Sequence, residues 1–260
     1  MEWFIGIFVF MIGIVIGSFL NVCIYRVPLG VSIAKGRSAC PQCGATLTAL
    51  DLVPVLSYLA LRGKCRHCGA HISPIYPVVE GATGVLFLLL YLKTGLSWDL
   101  PVYAALVSLL IAIAFVDYKH MIIPNGFVIA GLIIGIIKLA VSIFTDAFGS
   151  WTLYAIGFAA GALPLLLVMV FCALILKKEA VGGGDIKLMA FAGLILGWQL
   201  IIPAYLIGVV AGAVAGLALM AAGKKRRGDE IPFGPFLCFG ILVSVFFGNE
   251  LILWYLGLLR

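Results

Sequence analysis

Pro101-Val-Tyr-Ala-Ala-Leu-Val-Ser-Leu-Leu-Ile-Ala-Ile-Ala-Phe-Val-Asp117-Tyr-Lys-His-Met-Ile-Ile-Pro124 is the stretch that decides the fold. It is apolar from end to end until Asp117, where a short polar loop opens. Runs of roughly 20 apolar residues cross a bilayer as helices, whereas strands of a membrane barrel alternate apolar with polar residues. No such alternation occurs here. The same kind of run recurs along the chain, predicting eight spans at about 3–25, 78–92, 101–117, 123–144, 151–176, 186–200, 202–222 and 236–258. Composition agrees. The 260 residues are 64% hydrophobic and 11% charged, while soluble domains are about a quarter charged. A chain with so little polar surface is excluded from the soluble globular class.

Lys and Arg set the expected orientation. Arg26, Lys35, Arg37, Arg62, Lys64, Arg66, Lys119, Lys177, Lys178, Lys187 and the run Lys224-Lys225-Arg226-Arg227 fall in alternate inter-span segments. Only Lys93, Lys138 and Arg260 fall on the other side, fourteen against three. The rich side is therefore expected to be cytoplasmic, with both termini outside. This sidedness accounts for the net charge of +6. The expected partner is the lipid bilayer, whose anionic headgroups the Lys224–Arg227 run can meet, and no nucleic acid is expected. The first span lacks a basic leader and a small-residue cleavage site, so a retained helix is expected and not a signal peptide.

Residues 26–77 form the one long polar stretch, and they carry Cys40-Pro-Gln-Cys43-Gly44 and Cys65-Arg-His-Cys68-Gly69. A two-residue spacer lets both thiolates of a knuckle face one tetrahedral ion, and glycine lets the turn close. The 21 residues between the knuckles lie just beyond the usual zinc-ribbon interval, and a reducing cytosol disfavours disulfides. The reading is a structural zinc site of Cys40, Cys43, Cys65 and Cys68. Four sulfurs leave no open position for water, so the metal would fold the insert and not catalyse. His67 and His71 are expected to be solvated or to stand behind the ligands. Cys23, Cys172 and Cys238 lie in apolar spans and read as small buried hydrophobes. The expected fold is thus an all-α polytopic membrane protein. About eight transmembrane helices carry a small cytoplasmic zinc-binding insert between the first two, dividing the chain into 1–25, 26–77 and 78–260.

Asp117 has a counterpart in Asp185, which closes Gly182-Gly183-Gly184 and precedes Ile186-Lys187-Leu188. Ionisable groups at membrane depth are costly and read first as functional. Each alone could be a helix-end carboxylate or a buried partner for a lysine; a pair points to acid–base work. In the predicted topology Asp117 ends an inward span and Asp185 begins an outward one, so both lie at the cytoplasmic border.

The ordered set of motifs resembles the bacterial type IV prepilin leader peptidases, membrane aspartyl proteases with a Gly-x-Gly-Asp motif. The set begins with Gly17-Ser-Phe-Leu-Asn21-Val, both knuckles, Asp51-Leu-Val-Pro-Val-Leu-Ser-Tyr58 and Leu61-Arg-Gly-Lys-Cys65. It continues with Ile72-Ser-Pro-Ile-Tyr-Pro-Val-Val-Glu80, Asp117 with Ile123-Pro124, Gly182-Gly-Gly-Asp185-Ile-Lys-Leu188 and Pro232-Phe-Gly-Pro235. The resemblance implies an aspartyl endopeptidase of the bacterial cytoplasmic membrane, with Asp117 and Asp185 as the catalytic pair and 78–260 as the protease domain. Its substrates would be type IV prepilins, pseudopilins or competence pilins, cut at the cytoplasmic edge of their hydrophobic helix. It also implies N-methylation of the new N-terminal residue, usually Phe, from S-adenosylmethionine, associated with 26–77. No Rossmann-type Gly-x-Gly-x-x-Gly turn is present, leaving Asn21, Arg26, Asp51 and Glu80 as candidate cofactor-binding residues, with structural pairing at the membrane border as the other reading. Leu52 stands where the family usually has Asn, and Ile75 where it often has Arg. Both fall in the insert, so an alternative keeps the peptidase alone and makes the insert a structural or docking element.

Chemistry fits the rest. An aspartyl dyad needs one carboxylate to activate water and one to protonate the carbonyl oxygen or the leaving amine, and two adjacent carboxyls share a proton. Glycines permit close approach to an unwound substrate. Non-helical backbone at that depth persists only against protein or a wet cavity. Gly182, Gly183, Gly184, Pro232, Phe233, Gly234 and Pro235 are therefore the expected substrate-cavity wall, although Pro-Phe-Gly-Pro alone also reads as the turn that begins a helix. Lys119, His120 and Lys187 flank the pair, either biasing its protonation, meeting an acidic residue of the precursor, or holding topology. A transporter would place its carboxylates near the midplane and show internal repeats, and neither is visible. A non-catalytic zinc-knuckle scaffold would tolerate Asp-to-Asn changes.

Overall fold

The computed structural model describes residues 2–145, 150–177, 182–226 and 231–258; Lys178, Arg227 and Arg260, used above for orientation, lie outside them. The described residues form helices α1 (Glu2–Arg26), α2 (Leu56–Ala60), α3 (Ile75–Thr94), α4 (Asp99–His120), α5 (Asn125–Thr145), α6 (Trp151–Phe171), α7 (Gly183–Leu196), α8 (Trp198–Ala221) and α9 (Gly234–Leu258). A 3₁₀ turn covers Ala49–Leu52, and a π-helical turn, Cys172–Leu176, ends α6. No named strand occurs among the described residues, only two isolated bridges. Seven helices, all but α2 and α7, are long and apolar enough to cross a membrane. The protein is an all-α polytopic membrane protein, as read.

The sixth predicted span is α7, and its end differs from the sequence reading. It stops at Leu196 because Gly197 takes φ +85, and α8 starts at once at Trp198. With 14 residues at 1.5 Å each, α7 is about 21 Å long, short of a bilayer core of ~30 Å. Every residue from Leu188 to Leu196 is buried, which is what a helix apolar all round requires. Helices α5, α6, α8 and α9 enclose it. The tightest crossing is α6 on α7: a Cβ at Gly157 would collide with the Gly193 carbonyl oxygen, and one at Gly161 with that of Met189. Small residues let backbones approach where hydrophobicity gives no drive between helices. The Tyr205 hydroxyl of α8 donates to the Gly161 carbonyl at the same place.

The chain forms two compact units, Met1–Leu100 and Pro101–Arg260. In the first, α1 crosses α3 closely. A Cβ at Gly13 would lie 2.8 Å from the Gly84 Cα, and one at Gly17 would lie 2.7 Å from the Glu80 Cα. Where α1 ends, Arg26 donates to the carbonyls of Ser32, Lys35, Gly36 and Arg37, folding the start of the insert around one guanidinium.

Candidate functional site

In the first unit the two cysteine knuckles are built alike. The Cys40 N–H donates to the Ala45 carbonyl and Gly44 back to Cys40, as Cys65 does to Ala70 and Gly69 to Cys65. Gly44 (φ +70) and Gly69 (φ +71) occupy the left-handed conformation that closes each turn, open to glycine at little cost. This brings the sulfurs of Cys40, Cys43, Cys65 and Cys68 within 4.8 Å of one another. A tetrahedral zinc with Zn–S near 2.3 Å needs sulfurs about 3.8 Å apart, and Cys40 and Cys68 stand at 3.9 Å. The four cysteines are grouped as the ligands of one zinc ion would be. Backbone N–H groups of Cys43 and then Gln42 pull the Cys40 thiol down to about 6, favouring the thiolate that a metal needs. His67 and His71 are exposed and stand outside the sulfur cluster.

Beside the knuckles lies a cavity of about 590 Å³, a size that takes a small-molecule ligand. Asn21, Arg26, Asp51 and Glu80 all line it, together with Tyr58 and Tyr76. Each of the four is already engaged. Asn21 donates to the Tyr76 carbonyl, and Arg26 is committed to the loop described above. Asp51 accepts from the Thr48 hydroxyl and N–H and pairs with Arg66 at 2.8 Å, which together hold its carboxyl down to about 2. Glu80, buried on α3, accepts from the Val55 N–H at 2.7 Å.

The second unit brings together the two aspartates. Asp117 lies three residues from the end of α4, 6% exposed, and Asp185 is half-buried in the first turn of α7. The two carboxyls lie close enough to interact electrostatically. Among the described residues neither pairs with a cation. Lys187, the nearest candidate in sequence, donates instead to Asn125 Oδ1 at 3.1 Å, so Lys187 is not the partner of Asp185. Gly234 contributes what sequence reasoning missed: its N–H, at the start of α9, donates to Asp117 Oδ2 at 3.0 Å. A Cβ there would stand 2.6 Å from that oxygen. Only glycine allows the contact, and the one sequence signal was a glycine between residues that begin a helix.

The other predicted wall residues are spread around this pair. Gly182 and Gly183 are exposed, and Gly184 is half-buried. A Cβ on Gly184 would press on Ile123 at 3.0 Å, which ties the glycine run to the loop after Asp117. Pro232, Phe233 and Pro235 are half-buried around Gly234, with the Phe233 ring against Gly212 of α8. Cys23, Cys172 and Cys238 are buried, as small apolar residues would be.

A polytopic helical bundle with two neighbouring carboxylates that form no ion pair among the described residues, and a four-cysteine insert, has the make-up of a membrane protein with a candidate acid–base pair. Family comparison makes the class specific. Residues 11–94 match the bacterial peptidase A24 N-terminal domain, and 104–217 match the type IV leader peptidase family. The chain is 35% identical to the prepilin leader peptidase/N-methyltransferase of Bacillus subtilis (strain 168) over 95% of its own length and 96% of that protein. To the proteins of the same name from Myxococcus xanthus (strain DK1622) and Legionella pneumophila it is 40% and 32% identical, covering 86% and 98% of this chain and 66% and 96% of theirs. No solved structure matches. The chain belongs to the type IV leader peptidase family and is a multi-pass membrane peptidase with the bacterial N-terminal domain.

Proposed function

We propose that this protein removes the leader of type IV prepilins or pseudopilins at the cytoplasmic face of the bacterial cytoplasmic membrane and then N-methylates the new N-terminus. The observation that carries the peptidase reading is the pairing of buried Asp117 with half-buried Asp185, neither of them in an ion pair among the described residues. Two such carboxyls hold one proton between them. The ionised member takes a proton from water as its oxygen attacks the scissile carbonyl carbon, and the protonated member donates to the carbonyl oxygen. Collapse breaks the C–N bond, and the leaving amine takes up a proton. The Gly234 N–H fixes the Asp117 carboxyl for this work, and the Gly182–Gly184 run and Phe233 form the wall against which an unwound substrate lies.

Methylation is supported by the cavity on the first unit and by the names of the relatives. S-adenosylmethionine, when bound, supplies a methyl group on a positively charged sulfur. To accept that methyl the amine nitrogen would first have to give up a proton and free its lone pair. Asn21, Arg26, Asp51 and Glu80 line the space where this happens, and zinc on the four cysteines keeps the insert folded. The test mixes purified protein with a prepilin and S-adenosylmethionine, then reads the product by mass spectrometry. Leader loss plus one methyl supports both activities. Leader loss alone reduces the insert to a structural or docking element, and intact precursor refutes the reading.

A further inference from the structure

Among the groups lining the cavity, the acids are not equivalent. Asp51 is neutralised by Arg66 at 2.8 Å. Arg26 is spent on four loop carbonyls. Glu80 is 8% exposed, and its one partner is the Val55 N–H on Oε2. Among the described residues no cation forms an ion pair with it. A buried carboxylate without a counter-ion is costly unless a ligand provides one.

Val55 gives a second, independent sign. It takes φ 62 and ψ −52, and the Leu56 N–H reaches the Pro54 carbonyl at 2.6 Å, which together make the rare, strained form of γ-turn. A β-branched residue at positive φ is a true outlier. Strain of this kind persists where surrounding structure over-determines it, and it gathers at ligand clamps. Here the clamp is Glu80, anchored at the α1–α3 crossing where Gly17 lies against its backbone. One carboxylate oxygen thus pins the strained turn, and the carboxylate is held rigidly against the cavity.

We propose that Glu80 binds the α-ammonium group at the N-terminus of the processed substrate peptide. The proposal rests on the methylation reading for its context. Depth selects this amine over the amino group of the methyl donor. Glu80 lies in the second turn of a membrane-spanning helix, the level at which a peptide whose apolar helix occupies the bilayer presents its first residue. The insert side of the cavity, with Arg37 and His67, is left for a soluble, polar donor. Glu80 then orients the nitrogen and receives one of its protons, leaving a lone pair free and an uncharged acid that later returns the proton to water.

The experiment measures binding apart from turnover. Wild type, Glu80→Gln and Glu80→Asp in lipid nanodiscs are titrated with a synthetic apolar peptide beginning with Phe, its amine either free or acetylated. S-Adenosylmethionine binding, zinc content and thermal unfolding are read on each. Wild type should bind the free amine about 10- to 100-fold tighter, the range for a hydrogen bond to a charged group. Glu80→Gln should erase the preference with donor affinity unchanged, and Glu80→Asp should keep part of it. A wild type indifferent to acetylation overturns the proposal. So does a Glu80→Gln variant that keeps the preference, or one that loses donor affinity instead. Should Glu80→Gln lose zinc or unfold, the comparison of free and acetylated peptide on wild type and Glu80→Asp decides alone. A wild type that prefers the free amine yet transfers no methyl keeps the ammonium site and removes the methylation reading.

Discussion

Replacing Gly234 by Ala tests how tightly the Asp117 carboxyl must be held. The added Cβ would stand 2.6 Å from Oδ2 and 3.0 Å from Cγ of Asp117, against ordinary contact from 3.4 Å. Something must retreat by about 0.8 Å, and the Gly234 backbone is fixed as the first turn of a 25-residue helix. The carboxyl is the part that moves, losing its hydrogen bond at 3.0 Å. A misplacement near 1 Å costs about 10²-fold in rate, or about 2.7 kcal/mol of transition-state stabilisation. In a steady-state cleavage assay with purified prepilin, kcat/KM should fall by about that factor. Gly126→Ala, whose added Cβ meets nothing within 4 Å, controls for general effects of the substitution. A Gly234→Ala enzyme within about threefold of wild type, with Tm unchanged, would refute the positioning argument.

Three further outcomes follow from the geometry. Cys65→Ser should lower zinc content measured by atomic absorption and unfold the insert, with its protease-resistant fragment lost, since four thiolates close the site. Zinc affinity should weaken as pH falls through about 6, where the Cys40 thiol, lowered from 9.0 by the Cys43 and Gln42 N–H groups, takes up its proton. That thiolate's contribution to folding is present above the unfolded value and lost below the folded one; competition with a chelator over pH 5 to 8 checks the sign. Gly193→Ala, whose Cβ would run into the Gly157 carbonyl, should cost about 1–3 kcal/mol by overpacking and appear as a lower Tm in detergent.

Hydropathy found the spans because an unbroken apolar run has one stable arrangement in lipid. It misplaced the α7–α8 boundary because Ile195-Leu196-Gly197-Trp198 stays apolar across a backbone break that only φ at Gly197 records. The cysteine cluster was legible since each knuckle is closed by hydrogen bonds within six residues, Cys40 to Ala45 and Cys65 to Ala70. What escaped were contacts between distant positions. The Gly234 N–H reaches Asp117 across 117 residues, and Glu80 reaches Val55 across 25. Both involve a backbone N–H, a donor that every residue but proline carries, so no side-chain pattern announces them. Asn21, Arg26, Asp51 and Glu80 each read from sequence only as a polar group at the membrane border; that they line one cavity is a fact of packing.

The central claim is that Asp117 and Asp185 act as one catalytic unit. The direct measurement compares leader cleavage by wild type, Asp117→Asn, Asp185→Asn and the double variant, each shown folded by zinc content and Tm. The account predicts that either single change lowers kcat by a factor of 10³ or more, about 4 kcal/mol, and that the double change lowers it little further, as groups acting together are non-additive. Single variants retaining more than a tenth of wild-type cleavage, or losses that multiply in the double variant, would contradict it.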